Sequence, residues 1–83
     1  MILKKIDRGL YECFDDSYNH YMIEDSCREK PMYKRPADLK GAEWKWGIYE
    51  QEGAEWIYLD GNPTMADCLE VINTWQAANE YLR

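Results

Sequence analysis

Two short aromatic-rich runs, separated by turn-forming residues, constrain the fold of this chain more than any other feature. Three of the four tryptophans and two of the seven tyrosines lie between residues 44 and 59. A four-residue turn at 51–54 would join the runs into a β-hairpin whose side chains alternate between two faces. The predicted core face comprises Trp46, Ile48, Ile57 and Leu59. The second face comprises Tyr49, Trp56 and Tyr58, with Gly47 beneath the ring of Tyr58.

A second hairpin is predicted from residues 10–14 and 19–23, which flank the turn formers Asp15-Asp16-Ser17. The predicted register places Phe14 opposite Asn19 and Cys13 opposite His20. Residues 2–6 either begin the first strand of this hairpin or form a separate short strand.

The C-terminal part of the chain predicts an amphipathic helix. Thr64 followed by Asp67 resembles a capping box. The residues that recur at helical spacing and form one face are Met65, Cys68, Leu69, Ile72, Trp75, Asn79 and Leu82. We therefore predict one α+β domain over residues 1–83, with about four mainly antiparallel strands and this helix packed across one sheet face.

Charge is distributed unevenly over the predicted elements. The net charge is −6, but residues 28–42 carry five lysines or arginines against two acids. These basic residues lie in a Pro-containing loop at about 24–42, in which 36–40 could form one helical turn. An acidic body favours partners with a basic surface, including the nucleic-acid-binding grooves of other proteins. It disfavours direct binding to nucleic acid.

Composition and spacing exclude several classes of protein. No apolar run is long enough to span a membrane or to serve as a secretory signal. Three cysteines without paired spacing predict reduced thiols and a cytoplasmic location. Cys13 and His20 could form a nucleophile–base pair, or share a zinc ion with Cys27, but packing is the simpler interpretation. The carboxylates cluster at solvated turns, so we predict neither catalysis nor a bound metal or cofactor.

The aromatic surplus predicts a binding surface. Exposed tyrosine and tryptophan are typical of protein-binding hot spots. The candidate binding residues are Tyr49, Trp56, Tyr58, Lys45, Glu50, Glu52, Glu55 and Asp60. Two alternatives are single-stranded nucleic-acid binding through the same face and the basic loop, or a homo-oligomeric subunit. In a third interpretation the loop covers part of this face through Met32, Tyr33 and Leu39, and in a fourth the tyrosines and tryptophan only form stabilising cross-strand pairs.

The order of elements also resembles that of a known group of proteins. A last strand, Trp56-Ile57-Tyr58-Leu59-Asp60, is followed by Thr64-Met-Ala-Asp67-Cys-Leu69 at the start of the helix. In this layout the chain resembles small acidic accessory proteins of bacteriophages and mobile elements, including anti-CRISPR and anti-restriction inhibitors. The resemblance implies a non-enzymatic inhibitor that occupies the basic surface of a host protein in the host cytoplasm.

Overall fold

The computed structural model describes residues 1–35 and 45–81 and shows an α+β fold. The elements are β1 (Ile2–Asp7), β2 (Leu10–Phe14), β3 (His20–Asp25), β4 (Trp46–Glu52), β5 (Glu55–Asn62) and α1 (Met65–Tyr81). The strands form one antiparallel sheet in the order β1-β2-β3-β4-β5. The predicted fold class is confirmed, with five strands instead of about four because β1 is a separate strand. The helical turn predicted at 36–40, Leu39, Trp44 and Leu82 lie outside the described residues.

Helix α1 begins at the predicted cap and packs on one side of the sheet, which we call the helix face. The Asp67 amide donates a hydrogen bond of 3.1 Å to Thr64 Oγ1, which satisfies one of the free amides at the helix start. Cys68 and Ile72 are fully buried against the sheet residues Cys13, Tyr21, Ile23 and Ile48. Met65, Leu69 and Trp75 pack at the margin of this core, as predicted, and so does Trp46.

The β4–β5 hairpin has a tighter turn than predicted. Gly53 and Ala54 alone form the turn, and the φ of 63° at Gly53 suits the first central position of a type II′ turn. Tyr49 therefore pairs with Tyr58 instead of Trp56, and a bulge near Leu59 places Asp60 opposite Ile48.

The new register corrects two predictions about packing. Ile57 and Leu59 are 37% and 39% exposed, whereas the sheet residues buried beneath α1 are Cys13, Tyr21, Ile23 and Ile48 of β2, β3 and β4. Gly47 faces Gly61 instead of Tyr58. The guanidinium of Arg35 occupies the space above Gly47, where a Cβ atom would lie 2.7 Å from Arg35 Nη2.

The β2–β3 register differs from the prediction by one residue. Asp15 is buried, and its carboxylate accepts hydrogen bonds from the Ser17 amide and from both nitrogens of Asn19. This Asx turn adds a residue to the loop, so Phe14 pairs with His20 and Cys13 with Tyr21. Since a shift of one residue exchanges the two faces, Cys13 lies on the helix face and His20 on the other.

The second sheet face is covered by residues 26–35, which we call the cover segment. Glu24 holds this segment in place from the centre of the sheet, where the residue is only 1% exposed. Its Oε2 atom accepts hydrogen bonds from Arg28 Nη1 at 2.8 Å and from the Met32 amide at 2.9 Å. Its Oε1 atom accepts one from the Tyr33 amide at 3.3 Å. We call this side of the sheet the cover face.

These hydrogen bonds predict that Glu24→Gln destabilises the protein. An amide cannot accept at both positions, so at least one donor loses its partner, and Arg28 keeps only Asp7 as a counter-charge. The expected cost is about 1–3 kcal/mol in the free energy of unfolding, measured by urea denaturation. Glu29→Gln, at an exposed position in the same segment, is the matched control and should leave stability unchanged. Equal stability of the two variants would contradict the role assigned to Glu24.

Candidate functional site

The predicted binding residues do not form one surface, because the β4–β5 register separates them by face. Trp56 and Tyr58 lie with Tyr49 on the cover face. The carboxylates of the hairpin lie on the opposite side: Glu50 faces Ile57, and Glu52 faces Glu55. The aromatic and the acidic residues therefore belong to two surfaces.

Tyr49 is a core residue, and the predicted exposure of its side chain is wrong. Its side chain is fully buried with Leu10 and Met22. The ring of Tyr33 lies over it, with 5.1 Å between the ring centroids, and Tyr58 contacts it edge-on at 5.6 Å. This burial raises the pKa of the Tyr49 hydroxyl. Cover by Tyr33, one of the interpretations of the aromatic run, is therefore what the structure shows at Tyr49.

Lys45 also lies apart from the aromatic residues. It precedes β4, whereas Trp56 pairs with Gln51 near the other end of that strand. Six residues of extended chain separate Lys45 from Gln51, so Lys45 lies roughly 20 Å along the strand from the position that Trp56 faces. The Lys45 carbonyl accepts a hydrogen bond from the Ser26 amide, so this position joins β4 to the start of the cover segment.

An open groove remains between the cover segment and β5, which we call the cover-face groove. Its volume is about 740 Å³, and it is lined by Met32, Tyr33, Lys34, Arg35, Glu55, Trp56, Ile57 and Tyr58. Trp56 packs between His20 and Tyr33, with ring centroids at 5.1 and 5.4 Å. The guanidinium of Arg35 lies 5.7 Å from the centroid of the Tyr58 ring. Burial raises the pKa of Tyr58 to about 12, so its hydroxyl stays neutral at physiological pH.

The other surface surrounds the hairpin turn on the helix face. We call it the acidic hairpin surface; its residues are Glu50, Glu52, Glu55, Ile57 and Leu59. All five are exposed to solvent. A shallow cavity of about 350 Å³ lies beside it, lined by Glu50, Leu59, Trp75 and Ala78. Among the ion pairs recorded for the described residues, none involves its three carboxylates.

Asp60 and part of the basic loop have structural contacts. Asp60 is half-buried beside the bulge, and its Oδ1 atom accepts a hydrogen bond from the Gly61 amide at 2.9 Å. Arg28 bridges Glu24 and Asp7, at 2.8 and 3.0 Å. Asp60 therefore lies at the base of the hairpin, away from the turn, and the charge of Arg28 is used to hold the cover segment.

The Cys13–His20 pairing is also wrong. Cys13 is fully buried on the helix face, where burial raises the pKa of its thiol to about 11 and keeps it protonated. His20 stacks on Phe14 at 4.4 Å, and its Nε2 atom lies 2.9 Å from Glu12 Oε2. The described residues contain no group of three or more His, Cys, Asp or Glu side chains that could hold a metal ion.

Interpretation of the sequence missed the exposed positions of Ile57 and Leu59 and the hydrogen bond by which Glu24 holds Tyr33 over Tyr49. Gly53-Ala54 is itself a signal for a two-residue turn, because glycine is typical of the first position of a type II′ turn. A two-residue turn at this position makes Glu52 and Glu55 the first pair of the hairpin and places Tyr49 opposite Tyr58.

Comparisons with known proteins identify no family for this arrangement. Within the described residues, no helix is long and apolar enough to cross a membrane. No family model, curated protein or solved structure matches the chain.

Proposed function

We propose that this chain is a non-enzymatic protein-binding module whose acidic hairpin surface occupies a basic, nucleic-acid-binding surface of a partner protein. In this role it acts as an inhibitor, of the kind that bacteriophages and mobile elements direct against host defence proteins. Binding of this type requires surface complementarity and no reaction chemistry.

The facing carboxylates at the hairpin turn carry the proposal. Glu52 lies directly opposite Glu55, and Glu50 lies two residues along the same face. Like charges at facing positions of a β-hairpin destabilise it. A lysine at either position would form a favourable pair instead. Local features that oppose stability are expected at functional sites, and a cationic partner would relieve this repulsion.

The apolar residues beside these carboxylates supply the rest of a binding surface. Ile57 and Leu59 are exposed, Glu50 lies opposite Ile57, and Leu59 lines the shallow cavity together with Glu50. An apolar centre within a charged rim is the usual anatomy of a protein interface. The net charge of −6 adds long-range attraction toward a basic partner.

We expect Glu55→Lys to make the protein more stable and a weaker binder. The substitution replaces a repulsive cross-strand pair with an attractive one, which should raise the free energy of unfolding by about 0.2–1 kcal/mol in urea denaturation. Capture of the partner from a host lysate, quantified by mass spectrometry, should fall. If the variant is more stable but captures less partner, the loss of binding cannot be due to unfolding.

Charge-matched variants provide the control for position. Glu52→Lys/Glu55→Lys reverses two charges at the turn, whereas Glu29→Lys/Glu70→Lys reverses two exposed charges elsewhere and gives the same net charge. Only the turn variant should lose capture. The captured proteins should be nucleic-acid-binding proteins that excess DNA displaces. Equal capture by the two variants, or capture that DNA leaves unchanged, would contradict the proposal.

A second candidate function rests on the cover-face groove. Lys34 and Arg35 lie beside Tyr33, Trp56 and Tyr58 in this groove, and cations beside aromatic rings can hold a single nucleic-acid strand. This candidate predicts that a short oligothymidylate at low salt quenches tryptophan fluorescence in the unmodified protein and does so less in Trp56→Phe. Absence of quenching at low salt would exclude it.

A further inference from the structure

We infer that the partner binds by adding an extended, basic segment to the outer edge of β5. This inference rests on the proposed function and specifies the mode of binding at the same hairpin. The segment would extend the sheet beyond its last strand, with backbone hydrogen bonds supplying affinity and alternate side chains supplying specificity.

The backbone of β5 is available for such pairing. β4 is the only neighbour of β5 in the sheet order of the described chain. In a two-residue hairpin the residues that flank the turn, here Glu52 and Glu55, form a hydrogen-bonded pair. Hydrogen-bonded and non-hydrogen-bonded pairs alternate, so the amides and carbonyls of Trp56 and Tyr58 face away from β4. These groups lie before the bulge at Leu59 and can pair with an added strand.

The surfaces on the two sides of this edge select different side chains. On the cover face, an added strand would place side chains toward the groove of about 740 Å³ beside Trp56 and Tyr58. On the helix face, its side chains would lie near Glu55, Ile57 and the cavity of about 350 Å³. Since side chains alternate along a strand, the preferred segment alternates apolar residues for the groove with basic residues for the carboxylates.

The opposite edge of the sheet is β1, whose central residues are positively charged, whereas the β5 edge carries carboxylates. β1 carries Lys4 and Lys5 in the centre of the strand, and lysines on an edge strand oppose pairing with another chain. Antiparallel pairing of β1 with a second copy of itself would bring these lysines face to face. A basic segment is repelled at this edge, so β5 is the edge to which it can add.

Nuclear magnetic resonance with defined peptides tests this inference. The probe is a capped hexapeptide of alternating lysine and valine. Its addition should shift the amide signals of Trp56 and Tyr58 and slow the hydrogen exchange of these two amides. A peptide with two valines replaced by proline loses backbone donors, and one with glutamate in place of lysine loses the charge match. Both control peptides should bind at least about tenfold more weakly.

Two lysine substitutions distinguish the edges. Ile57→Lys in β5 and Ile6→Lys in β1 alter residues that are 37% and 47% exposed, so both variants should fold. We expect Ile57→Lys to weaken binding of the lysine–valine peptide at least about fivefold and Ile6→Lys to leave it unchanged. Shifts confined to β1, equal binding of the proline peptide, or no shift at millimolar peptide would overturn the inference.

The outcomes also separate this inference from the proposed function. If reversal of the turn charges abolishes partner capture while the peptide causes no shift at Trp56 and Tyr58, the acidic surface binds by another mode and only strand addition fails. If the peptide adds to β5 but charge reversal leaves capture unchanged, the proposed function fails. These measurements use the intact chain in each case.

Discussion

The buried carboxylate of Glu24 determines which face of the sheet is covered and which surfaces of this protein stay exposed. It lies in the middle strand of the sheet and accepts hydrogen bonds from Arg28, Met32 and Tyr33. A buried carboxylate is costly unless its acceptor positions are filled. The chain fills them by folding the cover segment back onto the sheet, and this places the Tyr33 ring over Tyr49. An aromatic face that would otherwise be open thus becomes a second, smaller core.

This second core changes the interpretation of the aromatic residues. A small domain has little interior, and here it buries large rings on both faces of one sheet. The rings therefore contribute mainly to stability on the cover face, except where Trp56 and Tyr58 line the groove. The acidic hairpin surface, in contrast, has features that packing does not explain: like charges face each other there beside exposed Ile57 and Leu59. The proposed function follows from that contrast.

The sequence predicts the elements of this fold well and their pairing poorly. Helical spacing and a capping threonine depend on residues within a few positions of one another, and so the start of α1 and its buried face at Cys68 and Ile72 were predictable. Register depends on turn length, and an error of one or two residues exchanges or displaces partners. The Asx turn at Asp15 and the type II′ turn at Gly53 each introduced such an error. The bonds from Glu24 to the cover segment follow no periodicity, and hence the sequence offered cover of this face by Tyr33 only as one of several interpretations.

Native-state hydrogen exchange at the amides of Met32 and Tyr33 tests whether Glu24 holds the cover segment on the sheet. Both amides donate to its buried carboxylate, and the cover segment closes this face of the sheet. We therefore expect exchange at least about a hundredfold slower than in an unstructured peptide, with the amides of Glu29 and Lys30 as exposed references in the same segment. Exchange of Met32 and Tyr33 at the rate of an unstructured peptide would contradict the account, because the aromatic face would then be open to a partner.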